Sequence, residues 1–272
     1  MASEMEAKFP DAVIHPTASV DATAVLGPGV AVGPFAIIGP GAVIGNGTQI
    51  GPHVCVSDRV TIGEDNHIAM GACLGVHADA ERPNSETGPI VIGDRNTIRE
   101  FVSVTGGPAA TIATIVGNNN FIMACCRLGS GCRIGHHLVL ANGSSIGTGA
   151  EIGDGVNVSG LVRVEDSVRI GRLAMVGGVS HLEFDVPPFT IVTGHPATPR
   201  CLNYIGLKRC GLTTLDRGEP FRQLKGLWLE FRRHGARRME EAASSTRSSL
   251  SPLAEEFLTF FAPRQTAVRA SP

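Results

Sequence analysis

Aliphatic side chains stand at Ile14, Val20, Leu26, Val32, Ile38 and Ile44 and continue in the same phase to Leu74. The phase resumes at Ile92, Ile98 and Val104, and again from Val116 through Ile122, Leu128 and Ile134 to Val176. The spacing is six residues throughout. The position two before each aliphatic is usually small, as at Ala18, Ala24, Ala36, Ala42 and Thr48, and the position after it is often Gly. Six residues make one short strand and a turn, and three such units close a triangular coil. The aliphatic then points inward and stacks on its equivalent in the next coil, while the small residue leaves room at the corner. This predicts an all-β parallel β-helix, a solenoid in which each unit is buried only by its neighbours. A β-sandwich would instead show period-two alternation broken by irregular turns. One Trp, one Tyr and 34 Gly in 272 residues suit a core of many small repeated units.

Two excursions break the period without shifting its phase. Residues 76–89 and 105–115 read as long loops on a rigid scaffold, the places where function or an interface is expected. After the last coil, the prolines of DVPPF (185–189) stop the strand ladder. Beyond them Phe221, Leu224, Trp228 and Phe231 recur at helical spacing, as do Leu253, Phe257 and Phe260. The expected organisation is a β-helix over 1–190 and a small helical domain over 191–272. The helices are joined by a polar loop at 242–252 and end in a disordered tail. They cap the solenoid or pack on a neighbouring subunit.

The formal charge of −2 leaves no basic excess for a nucleic acid or an anionic membrane. No window approaches the apolar length of a membrane span, and MASEMEAKFPDAV is acidic and polar, unlike a signal peptide. Seven cysteines, an odd number without framework spacing, fit the reduced thiols of a cytoplasmic protein. Three fall in MACCRLGSGC (123–132), yet Cys126 and Cys132 each precede an inward aliphatic by two. Both therefore fill the small corner slot as buried hydrophobes rather than metal ligands. Cys125 is less constrained, and a reactive role stays open for it.

The outward residues of this stretch are Arg127 and Ser130. Asp166 occupies the slot equivalent to Ser130 two coils on, with Glu165 beside it. His136, His137 and Asp154 lie one face round. Such groups on a rigid wall support acid–base or nucleophilic chemistry, and solvated surface residues have the same pattern.

HPTA (15–18), GPFAIIGP (33–40), IGDRNTIRE (92–100), LAN (140–142) and DVPPFTIVTGHPATPRCLNYIGLKRCG (185–211) resemble the UDP-N-acetylglucosamine acyltransferases that open lipid A biosynthesis. The resemblance implies a left-handed β-helix, a homotrimer with active sites in the clefts between subunits, no cofactor, and an acyl group delivered on acyl carrier protein. In that family a histidine matching Ser130 is the general base. Further polar residues, mostly histidines, match Arg127, Thr105, Gly149 and Glu165. The loop residues that hold the sugar match Ala80 and Arg82. On the phosphate side, Asn203 and Arg209 match the family pattern, and the next arginine is replaced by Cys210.

A serine hydroxyl is no substitute for imidazole as a base near neutral pH. The expectation is therefore a repurposed acyltransferase that takes its acyl group from a carrier protein but uses another acceptor. His77, His181, Glu165 and Asp166 are the candidate bases. Two alternatives stand beside it. One is thioester hydrolysis, elimination or cyclisation, with Ser130 or Cys125 as nucleophile or making space; the other is a catalytically silent trimer that binds a carrier protein.

Overall fold

A computed structural model describes residues 9, 11–76, 88–212, 218–244 and 250–263. Strands of mostly two residues stack into three sheets of 11, 9 and 8 strands, one for each face of a triangular prism. Apart from the closing hairpin the pairing is parallel, and equivalent positions lie in register, as in Ile50 with Ile68 and Leu128 with Ile146. The inward aliphatics predicted by the six-residue period form one continuous core from Val32 to Val176, which Leu182, Val186 and Val192 extend. Ile14, Val20 and Leu26 are only partly buried, because the first coil is covered from one side alone among the described residues.

Tight corners demand a left-handed backbone once per unit. Glycine meets that demand at Gly29, Gly131 and Gly155, and Phe35, Phe101, Cys125, His137 and Leu161 adopt it despite their side chains. The corner slots also carry buried polar groups. Thr48, Asn66, Asn96 and Asn120 lie above one another on one edge, each no more than 2% exposed. The Asn66 backbone N–H donates to Thr48 Oγ1 (3.1 Å). Asn96 donates from both its backbone N–H (2.9 Å) and Nδ2 (3.0 Å) to Asn66 Oδ1. The Asn120 N–H donates to Asn96 Oδ1 (2.9 Å), and the Leu138 N–H to Asn120 Oδ1 (2.7 Å). This ladder crosses the two coils that are lengthened from the usual separation of 18 residues to 30 and 24 by the loops. It thus supplies directed bonds where the repeat is interrupted.

The solenoid does not end at 190. Thr190–Gly194 pairs in parallel with Met175–Val176 and then antiparallel with Ala197–Leu202, so a hairpin closes the sheet. Three helices follow among the described residues: α1 (Tyr204–Arg209), α2 (Glu219–Ala243, kinked at Gly235) and α3 (Pro252–Thr259). Phe221, Leu224, Trp228 and Phe231 of α2 and Phe257 of α3 share a second core with Leu173 and Phe189 of the solenoid. The helices thus cap their own solenoid. Arg172 pairs with Glu256 (2.6 Å), and the Arg169 guanidinium lies 4.5 Å over the Phe260 ring. Residues 245–249 of the expected polar loop and 264–272 of the tail lie outside the described residues. No helix among the described residues is long and apolar enough to cross a membrane.

Cys126 and Cys132 occupy the corner slots, 1% and 0% exposed. Burial pushes the Cys132 thiol up to about 12. Because the thiolate is the reactive form, maleimide at pH 8 labels the exposed Cys201 and Cys210 in the native protein. Cys126 and Cys132 label only after denaturation, as peptide mass mapping will read. Asn96→Ala strands the buried N–H of Asn120, and we expect it to lower stability by about 1–3 kcal/mol in urea unfolding.

Candidate functional site

The period aligns one outward residue from each coil of the nine-stranded sheet. Ser103, Arg127, Ser145, Arg163 and His181 form a straight column, each in register with the next. Arg163 and Glu165 flank the inward Val164 and so share the outer face. His181 lies one coil above Arg163, on the last strand of this sheet.

This geometry brings together two of the sequence-derived candidates. His181 Nε2 is 2.5 Å from Glu165 Oε1, and the His181 side chain is 20% exposed. Arg163 Nε donates to the same oxygen at 2.6 Å. Arg163 first, and then His181, hold the Glu165 carboxyl below its ordinary value. Two further groups complete the cluster. Glu183 Oε1 stands 3.4 Å from His181 Nδ1, and the His195 ring stacks on the His181 ring at 5.1 Å and 20°. Ser180 fixes that stack. Its Oγ accepts from the Gly194 N–H (3.0 Å) and donates to Gly177 O (2.6 Å), tying the hairpin turn to the last coil.

Arg163, Glu183 and His195 were not among the sequence candidates. The signal for two of them was present, since Arg163 is one coil before His181 and Glu183 follows Leu182 as Glu165 follows Val164. Nothing periodic announces His195, which arrives through the hairpin.

Ser130 has a different setting. It lies on the corner where both loops emerge, yet is only 4% exposed. Its Oγ donates to Gly106 O at 2.6 Å. Thr114 Oγ1 braces the same corner, donating to Thr105 O (2.7 Å) and accepting from the Gly131 N–H (2.8 Å). Pro108 packs over Gly131, whose positive φ and close contact both disfavour a side chain. Gly88 and Gly107 bridge the two loops through reciprocal backbone bonds of 2.8 and 3.1 Å. The 105–115 segment therefore roofs the serine, and its hydroxyl proton is engaged by a backbone carbonyl.

The remaining candidates are spread out. Asp166 is exposed and braces a turn, with Oδ1 accepting from the Thr148 N–H at 2.7 Å. Asp154 does the same for His136 at 2.8 Å. Arg127 is exposed on the wall column, and Cys125 is exposed at a left-handed corner. Asn203 caps α1. Its Oδ1 accepts from the Gly206 N–H (3.0 Å), and its Nδ2 donates to Leu173 O (2.8 Å). Arg209 is exposed in the last turn of α1 beside Lys208. His77, Ala80 and Arg82 lie outside the described residues. Among the described residues no group of three or more His, Cys, Asp or Glu is placed to hold a metal ion.

Comparison with known proteins accords with this architecture. The bacterial transferase hexapeptide family matches residues 41–75, and domain 2 of the UDP-N-acetylglucosamine O-acyltransferases matches residues 185–269. The acyl-(acyl-carrier-protein)–UDP-N-acetylglucosamine O-acyltransferase of Gloeothece citriformis is 39% identical over 61% of this chain and 60% of its own length. The chain thus spans less than two thirds of that relative. The enzyme of the same name from Paracidovorax citrulli is 44% identical over 67% of this chain and 71% of its own. The solved UDP-N-acetylglucosamine acyltransferase of Francisella novicida superposes with a TM-score of 0.81 at 31% identity, covering 90% of both chains. With relatives this similar over most of its length, the chain belongs to the UDP-N-acetylglucosamine O-acyltransferase family.

Proposed function

We propose that this protein transfers an acyl group from an acyl-carrier-protein thioester to an acceptor other than UDP-N-acetylglucosamine, working in the cytoplasm as a homotrimer. Acyl transfer is supported by family membership and by the shared scaffold, cap and α1 segment. The different acceptor rests on one observation above all: the family's histidine slot holds Ser130, roofed by its own loop and bonded to Gly106 O. A sugar hydroxyl placed as in the family would find a neutral, occupied hydroxyl there instead of an imidazole. The same burial weighs against Ser130 as a nucleophile. On the anion side, Arg127 and the Lys208–Arg209 pair stay exposed, as the binding of a phosphate or carboxylate requires. Seven free thiols suit a reducing compartment.

The trimer reading has a physical basis in one corner of the prism. Phe35, Phe101, Leu161 and Val179 occupy equivalent left-handed positions there, each more than half exposed, with Cys125 between them. A ridge of large apolar side chains along one edge is a surface that association covers. Leu161→Glu places a charge on it, and the mutant is expected to sediment as a monomer where the wild type sediments as a trimer.

The reaction is tested by intact-mass analysis of acceptors and carrier protein, supplying acyl carrier proteins charged with chains of several lengths. Mass gain on an amine or alcohol acceptor, with UDP-N-acetylglucosamine left unmodified, is the expected result. Efficient acylation of UDP-N-acetylglucosamine would overturn the acceptor assignment. Release of free acid without any acceptor would favour thioester hydrolysis.

A further inference from the structure

We infer that His181 is the proton acceptor of this enzyme, held in place by Glu165, so that the catalytic base has moved along the solenoid wall from the Ser130 corner. The inference rests on the acyl-transfer reading and names the residue that performs it. Between Ser130 and His181 the chain climbs three coils, roughly 14 Å at the usual strand spacing. A solenoid wall permits such a move, because each coil presents the same outward slots on the same rigid lattice.

The geometry assigns separate duties to the two ring nitrogens. Nε2 faces Glu165 at 2.5 Å, and Arg163 keeps that carboxylate ionised and aimed at the ring. A carboxylate so placed accepts the Nε2–H and fixes the tautomer, leaving the lone pair on Nδ1. Among the described residues the Glu183 carboxylate stands on the Nδ1 side, at 3.4 Å and 58% exposed. The His195 ring closes one face of the imidazole, and Ser180 anchors the turn that carries it. Thus the ring is oriented, partly covered and open at one nitrogen. The charged and titratable groups around it are Arg163 and Glu165 from the coil below, Glu183 from its own coil and His195 from the hairpin. His137, His53 and His67, by contrast, lie on other faces or coils, and no such carboxylate pair meets them among the described residues.

The step balances without a cofactor. The acceptor oxygen or nitrogen attacks the thioester carbonyl while its proton passes to Nδ1 of His181. The new C–O or C–N bond forms, the C–S bond breaks, and the imidazolium returns the proton to the departing thiolate. Carrier-protein thiol and neutral ring are restored. Glu165 acts as a positioning residue, stabilising the imidazolium through Nε2–H.

The test uses the full-length protein and the acyl-transfer assay above. His181→Ala and His181→Gln are expected to lower kcat by about 10²- to 10⁴-fold, with KM for the acyl carrier protein within a few-fold. Added imidazole should partly rescue the alanine variant. Glu165→Gln is expected to lower kcat while KM for the acyl carrier protein stays within a few-fold, because the carboxylate that orients the ring through Nε2–H is gone. Retention of kcat within about threefold in both His181 variants would overturn the assignment. An activity-independent measurement accompanies these assays: long-range nitrogen–proton NMR of His181 at pH 8. Protonated Nε2 with bare Nδ1 is expected, and the opposite tautomer would overturn the inference even if no acceptor had been found. Failure of the wild type to acylate any acceptor would count against the acyl-transfer reading alone, since the tautomer is read without turnover.

Discussion

Each coil of this molecule satisfies its backbone and buries its aliphatics only through the coils above and below it. Register between coils is therefore the constraint on which everything else depends. A slip by one residue would turn every inward Ile, Leu and Val outward, because alternation along so short a strand leaves no partial solution. The corner slots reinforce that register chemically. The chain from Thr48 through Asn66 and Asn96 to Asn120 binds four successive coils by side-chain bonds to backbone N–H groups. It does so where the loops lengthen two of the coils, so the repeat is secured by directed bonds where spacing alone is weakest.

Strict register also converts sequence position into a coordinate on the outer wall. Arg127, Ser145, Arg163 and His181 stand in one column because they are equivalent residues of consecutive coils. A site built on such a wall can lose a group at one level and place a replacement at another without disturbing the core. The roofed serine and the carboxylate-held histidine three coils further on are the two ends of that possibility. The scaffold of the family is retained, and under the proposed function the chemistry displayed on it is rearranged.

Much of the fold was legible because the six-residue period is one-dimensional information. It placed the inward aliphatics, assigned Cys126 and Cys132 to corner slots, and separated the helical region by its change of period. The same arithmetic brings Arg163 beneath His181. The burial of Ser130 was not legible. Its position marks it as outward, but the 105–115 loop that covers it has no period, and its path depends on the Gly88–Gly107 bridge and the contact of Pro108 with Gly131. The stacking of His195 on His181 likewise depends on a hairpin that folds back onto the last coil.

By itself, then, the sequence determined the solenoid, its core and the level and direction of each side chain on the wall, because stacking identical units leaves one way to bury a six-residue repeat. Tertiary structure alone decided which outward groups are open and which are sealed. Loops and hairpin reach across coils through contacts that sequence spacing does not encode. Those contacts close the corner at Ser130 and leave Nδ1 of His181 facing the exposed Glu183 carboxylate among the described residues.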